Sequence, residues 1–297
     1  MPKQHNVSDI RVDDLSIRTA NAAFDLKPFL IEMNIEENIF KTSLTGSIVL
    51  SDSYNIPEKF PIVGEETVNI NISLSGIDGR DDDLHLNINP PRMHVNAITG
   101  RYFSGKTPKA QIFTLELVSE QYMSNIHSKV SKSYNNTYIS NIVADIYSKY
   151  LGNPNKLLIE PTDSIESCIV PNLHPLEAIK WITQRAVQDS GAGVNYLFFE
   201  TLSGVFFTSI NRLAEKEPQF TYKYIPRTGD SHGVEALSSG DFRIKNLYFM
   251  SQFDKASNSI NGLYASKLIT HDIVRKKITQ HDFNGYNDFV SLNHFGT

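Results

Sequence analysis

Between Val68 and Leu74 every second residue is apolar: Val68, Ile70, Ile72 and Leu74 alternate with Asn69, Asn71 and Ser73. A strand turns successive side chains to opposite faces, so this run describes a strand with one buried and one wet face. Ile31, Met33 and Ile35 alternate with Glu32, Asn34 and Glu36 in the same way. Residues 44–50 (LTGSIVL) read as another strand, with Gly46 a candidate bulge. Residues 84–98 (LHLNINPPRMHVNAI) read as two strands broken by Pro90-Pro91, and 110–118 (AQIFTLELV) closes the series. Short strands separated by turn signals predict a small barrel or sandwich.

The period then changes. Ile139, Ile142, Val143, Ile146, Tyr147 and Tyr150 share one helical face, with Thr137 as the expected N-cap and Gly152 after the last turn. A second helix is expected from Pro175 to about Val187, opened by its proline. Trp181 borders the Leu176/Ile179/Ile182 side of that helix and is expected to be buried. Tyr196–Glu200 and Val205–Ile210 flank a TLSG turn and form a hairpin apolar enough to be covered on both faces. Residues 219–225 alternate again, 226–241 form a polar linker, and the remainder reads as strands joined by polar turns. The expected fold class is mixed β with α/β: two small antiparallel β-barrel domains joined by an α/β domain. The expected boundaries are 1–118, 119–232 and 233–297, the last region being incomplete or completed by another chain.

Hydrophobic residues make up 40 % of the chain and charged residues 21 %, an ordinary globular composition. The net charge of −5 argues against a surface that coats nucleic acid, though it suits a channel through which nucleic acid slides. Cys168 is the single cysteine, which excludes an internal disulfide and a cysteine-based zinc site. The opening MPKQHNVSDIRVDD has no apolar core, so it is not a signal peptide, and no apolar run approaches a membrane span. Folding in a cytosol is the expectation.

Several short patterns invite chemistry. Gly100–Thr107 (GRYFSGKT) fits the phosphate-loop pattern G-x-x-x-x-G-K-[ST]. A true phosphate loop opens a helix, whereas here Pro108 follows and then a run that alternates as a strand does. The expected structure is a hairpin with Lys106 at its tip. The run Asp78-Gly-Arg-Asp-Asp-Asp83 lacks the calcium-loop spacing and reads as a solvated turn. His271-Asp272 and His281-Asp282 resemble pairs of dinuclear hydrolases, but His271-Asp272 lies in a strand-like run, where neighbours point to opposite faces. No G-x-S-x-G elbow is present, and Cys168 sits in a strand-like run as a packed thiol. No catalytic, cofactor-binding or metal-binding residue is assigned.

Three longer segments carry a resemblance. Residues 29–72 run from FLIEMNIEENIF through TGSIVLSDS, an Asn-Ile-Pro segment and PIVGEETV, in the order of the N-terminal barrel of contractile-phage baseplate hub proteins. Residues 113–151 resemble that family's barrel-to-helix junction. HPLEAIKWITQRAV with YLFFETLSGVFFTSINRL (174–213) resembles its helix-plus-hairpin module. The resemblance implies a virion protein of the tail baseplate, made in the host bacterial cytoplasm, with related modules in type VI secretion spikes. It implies a homotrimer whose six barrels form a ring between a sixfold tail tube and a threefold spike. Its partners would be the tube protein, the spike protein and other baseplate proteins, with DNA passing only in transit. It implies no cofactor and no small-molecule substrate. Another tube or baseplate component of the same machine, or a nucleotide- or metal-dependent hydrolase, are the alternatives.

Overall fold

A computed structural model describes residues 10–19, 22–60, 62–74, 86–88, 92–104, 110–152, 157–189, 194–217, 221–224, 243–244, 247–249 and 253–288. The chain divides into two compact units, Met1–Ile210 and Asn211–Thr297. The first opens with β1 (Ile10–Arg18), β2 (Ala23–Asp25), a 3-10 turn (Lys27–Phe29), β3 (Leu30–Glu36), β4 (Thr45–Asp52), helix α1 (Ile56–Lys59), β5 (Thr67–Leu74), β6 (Leu86–Ile88), β7 (Met93–Ser104) and β8 (Ala110–Ser119). They make one antiparallel sheet in the order β2-β1-β5-β7-β8-β4-β3, with β6 also on β5.

Chain length makes this sheet roll. Its end strands β2 and β3 are six strand spacings apart, about 29 Å if the sheet were flat. Only Leu26–Phe29 connect them, a link that reaches at most about 18 Å. The sheet therefore curls around a core built from Leu15, Ile17, Ile48, Leu50, Val68, Ile70, Met93, Phe113 and Leu115. Among the described residues β2 and β3 do not pair, so the ladder is a rolled open sheet and the expected barrel is not closed by hydrogen bonds.

Gly46 is no bulge. It pairs in register with Ile35 and Leu117, and a Cβ there would lie 3.0 Å from the Asn34 carbonyl oxygen. Glycine is needed because the β3 backbone comes close. The real bulges include one between Thr99 and Tyr102 in β7. Gly100 occupies it with φ +60°, a left-handed conformation that suits glycine.

Next come α2 (Glu120–His127), β9 (Val130–Tyr138), α3 (Ile139–Ile146) continued by a π-helical turn (Tyr147–Leu151), β10 (Leu157–Ile159), β11 (Ile165–Leu173), α4 (Pro175–Thr183), β12 (Tyr196–Thr201) and β13 (Gly204–Ser209). β9 pairs with β11, while β13 lies between β10, parallel to it, and antiparallel β12. A second core gathers Val130, Ile139, Ile142, Val143, Ile146, Val170, Ile179, Ile182, Phe198 and Phe207. Thr137 is not a cap: it is part of β9 and its hydroxyl donates to the Asn135 carbonyl. α4 stops at Thr183, short of Val187. Trp181 is only half-buried; it packs on the second core while the Arg185 guanidinium covers its ring at 4.6 Å.

Helix α5 (Ile210–Ala214) straddles the boundary. The second unit continues with β14 (Lys223–Tyr224) parallel to β15 (Arg243–Ile244), then α6 (Lys255–Ile260), the hairpin β16 (Ala265–Asp272) and β17 (Lys277–Asn284), and α7 (Gly285–Asp288). The expected linker 226–241 lies outside the described residues. Asp254 caps α6 by accepting from the Ser257 amide at 3.0 Å, a helix not foreseen from the alternation.

Candidate interaction surfaces

The first half of the phosphate-loop pattern is strand. Tyr102, Phe103 and Ser104 pair with Ile112, Gln111 and Ala110. Arg101 Nε donates to Gln111 Oε1 at 2.7 Å, and Arg101 Nη2 reaches Asn55 Oδ1 at 3.2 Å. Gly105, Lys106 and Thr107 lie outside the described residues, as does the Asp78–Asp83 run. His271 and His281 do not face each other across the hairpin: His271 pairs with Ile278, and His281 with Leu268. Among the described residues no group of three His, Cys, Asp or Glu is placed to hold a metal ion. Cys168 lies in β11 against the second core, and burial pushes its thiol pKa up.

The buried and half-buried carboxylates serve the fold. Asp52 accepts from the Tyr54 and Ile56 amides and from Gln111 Nε2, at 2.7, 2.6 and 2.9 Å. Glu66 accepts from the Val63 and Gly64 amides. Glu160 accepts from the Ser209 amide at 2.7 Å and from the Thr208 hydroxyl at 2.8 Å. Glu200, on β12, reaches into the sheet and accepts from the Leu44 amide at 3.0 Å and the Ser119 hydroxyl at 2.5 Å. Glu37 in turn accepts from the Leu202 amide at 2.6 Å, and Leu202 packs against the first core. The β12–β13 turn is thus plugged into the sheet. Between them, with α2 and the π-helical turn, lies a groove of about 780 Å³ bordered by Arg92, Gln121, Tyr147, Lys149 and Ser203. Beside the Glu200 carboxylate, burial first and its charge second push the Tyr147 pKa up to about 12.

A second polar knot holds the helical part. Asp145 receives Lys149 Nζ at 2.5 Å, Lys132 Nζ at 2.7 Å and the Tyr134 hydroxyl at 2.7 Å. Burial pulls its pKa up, but the bonds from Lys132, Lys149 and Tyr134 outweigh this and hold it at about 2.

Two surfaces remain. The outer face of the rolled sheet is read from the strand register in three rows across β3, β4, β8 and β7. They are Glu32–Val49–Thr114–Thr99, Asn34–Ser47–Glu116–Ala97 and Glu36–Thr45–Val118–His94. The rows hold three glutamates and no Lys or Arg. The second is the β16–β17 hairpin, whose β16 residues are all exposed. Neither was assigned residue by residue from the sequence, because the rows join four separated segments. The available signal was the Ser, Thr, Asn and Glu that fill the polar half of each alternating run.

No family model matches the chain. It is 21 % identical over 296 residues to the probable baseplate hub protein gp334 of Vibrio phage KVP40, covering 98 % of this chain and 66 % of that protein, so it spans just under two thirds of that relative's length. Solved structures that match part of the chain include the 43 kDa tail protein of prophage MuSo2 from Shewanella oneidensis, at 8 % identity and TM-score 0.44, covering 71 % of this chain and 58 % of that one. A tail protein from Neisseria meningitidis MC58 follows at 10 % identity and TM-score 0.43, covering 73 % and 56 %. The E. coli c3393 protein, a component of the type VI secretion system, has 10 % identity and TM-score 0.37, covering 73 % and 52 %. Over nearly its whole length the chain is similar in sequence to a phage baseplate hub protein, the group that residues 29–72, 113–151 and 174–213 resemble.

Proposed function

We propose that the protein is a structural part of a contractile phage tail, the central hub of the baseplate. Three copies form a pseudo-sixfold ring that joins the hexameric tail tube to the trimeric spike, with other baseplate proteins around it. The observation that carries this reading is the sequence similarity along 98 % of the chain to a probable baseplate hub protein. Within the ring, residues 1–118 and 233–297 are the two tube-like domains and 119–232 the domain between them.

The sheet supports the reading chemically. A channel that passes DNA must not retain it, and a wall of Glu, Asn, Ser and Thr offers phosphates no ion pairs. Eight of the twelve residues in the three rows on the outer sheet face are Glu, Asn, Ser or Thr, beside Val49, Ala97, His94 and a buried Val118. They line the channel in this reading, and the protein acts by position, without a catalytic group. It resides in the virion tail and assembles in the host cytoplasm.

The test is the mass of the purified chain in solution and a reconstruction of the assembled particle. The expected mass is three times the 33.5 kDa of one chain, in a ring on the tail axis whose lumen shows Glu32, Ser47 and Glu116. Six copies, an off-axis position or a lumen in which Lys and Arg outnumber Asp and Glu would overturn it. A stable monomer with a ligand in a cleft would favour an enzyme.

A further inference from the structure

The β16–β17 hairpin has eight residues in each strand and leaves apolar side chains in water. Leu268, Ile269 and Ile278 are 61, 59 and 68 % exposed. Leu268 and Ile269 are neighbours in a strand, so both faces of the hairpin carry bare apolar surface. A two-stranded hairpin is marginal in water unless something covers it. It is also basic: Lys267, Arg275, Lys276 and Lys277 face only Asp272 and Asp282, in a chain of net charge −5.

The opposite chemistry sits on β3. This strand ends the rolled sheet and pairs only with β4, so its outer edge has no strand partner among the described residues. Glu32, Asn34 and Glu36 share its outer face, Glu37 follows directly, and Ile31 is 54 % exposed. Such an edge is a template for another strand.

The geometry points to strand addition between copies: β17 of one copy pairs antiparallel with the free edge of β3 in a second copy. Setting Glu36 opposite Lys277 places Asn34 opposite Thr279 and Glu32 opposite His281 on one face. On the other face Ile35 meets Ile278. Cross-strand pairs of opposite charge and of apolar residues stabilise a ladder. β16 offers a similar spacing through Lys267 and His271, but that register sets the apolar Ile269 against Asn34, where β17 sets the polar Thr279. The exposed Lys41–Glu36 pair, 2.9 Å apart, is a weak competitor. This contact rests on the reading of the protein as an oligomeric hub and supplies the surfaces by which neighbouring copies join.

The experiment uses the full chain in a Cys168→Ser background with Asn34→Cys and Thr279→Cys, oxidised and run on a non-reducing gel. Multimers linked between chains are expected from the double variant, linked dimers from a mixture of the two single variants, and none from either single variant alone. Asn34→Cys with Ile269→Cys reports the β16 register and should stay unlinked. Charge reversal checks the same contact without cysteine. Glu36→Lys and Lys277→Glu should each shift the chain toward monomer by light scattering, and the double reversal should restore the oligomer. A link within one chain, a link through Ile269 instead, or additive losses from the two reversals would overturn the strand addition. So would no link at all in a wild-type chain that is still oligomeric, which leaves the hub reading standing. A monomeric wild type would overturn both.

Discussion

Thr67–Leu74 and Ala265–Asp272 are both eight-residue strands in antiparallel sheets, and they meet opposite fates. In the first, Val68 and Ile70 are 1 and 3 % exposed at the centre of a rolled sheet. In the second, every residue is exposed. Both strands carry β-branched residues suited to a pleat. The difference lies in what stands over them: β5 is flanked by β1 and β7 and turns its apolar face onto the core, whereas among the described residues β16 has a single strand neighbour. An alternating pattern creates an apolar face; burial needs a second layer, which comes from elsewhere in the chain or from another molecule.

The sharpest way to break this comparison is truncation on each side of it. Phe113→Ala removes a fully buried ring from the first core and should cost about 3–5 kcal/mol. Leu268→Ala should change the stability of the isolated chain by less than about 0.5 kcal/mol. Urea unfolding measures both, and equal losses would mean that the hairpin is covered within its own chain.

A smaller effect is expected at the plug between sheet and α/β layers. Glu200→Ala leaves the Leu44 amide and the Ser119 hydroxyl without this acceptor and should cost about 1–3 kcal/mol. Glu200→Gln keeps an oxygen for one of them and should fall between. Hydrogen exchange at Leu44 would show whether the loss is local to the plug.

The smallest effect is expected with pH. Asp145 is held at about 2, below its ordinary 3.8. A carboxylate whose folded pKa is depressed stabilises the fold fully above the unfolded value and loses that contribution as pH falls toward the folded one. Wild type should therefore lose stability between about pH 4 and 2 more steeply than Asp145→Asn, measured by thermal unfolding across that window. Parallel profiles would show that the Lys132–Asp145–Lys149 knot contributes nothing measurable.

Much of the secondary structure was legible locally. AQIFTLELV became β8, and the YLFFE and VFFTSI runs became β12 and β13 around a two-residue turn. The misreadings came from neighbours distant in sequence. Gly46 looked like a bulge, yet what demands glycine is the Asn34 carbonyl on the next strand. Thr137 had the chemistry of a helix cap, but pairing of Glu166 with Thr137 keeps that residue in strand and delays the helix to Ile139. Trp181 looked like core from its helical wheel, whereas Arg185 one turn on shares its surface and covers the ring. Of the interaction surfaces, the acidic residues were visible one strand at a time and the rows they form were not.

The sequence by itself determined the periods: alternation in β3, β5 and β8, helical spacing in α3 and α4, and a first glycine in GRYFSGKT that no helix follows within the described strand. These are local, because a side chain's direction depends on the backbone angles of its own few residues. Only the tertiary structure decided that β2 and β3 come to the two edges of one rolled sheet, that Glu36, Thr45, Val118 and His94 form one row, and that Glu200 is consumed by Leu44 and Ser119. Each of these joins residues tens of positions apart, and their meeting is set by closing the chain around its core, where buried apolar area and the satisfaction of buried polar groups outweigh local preference.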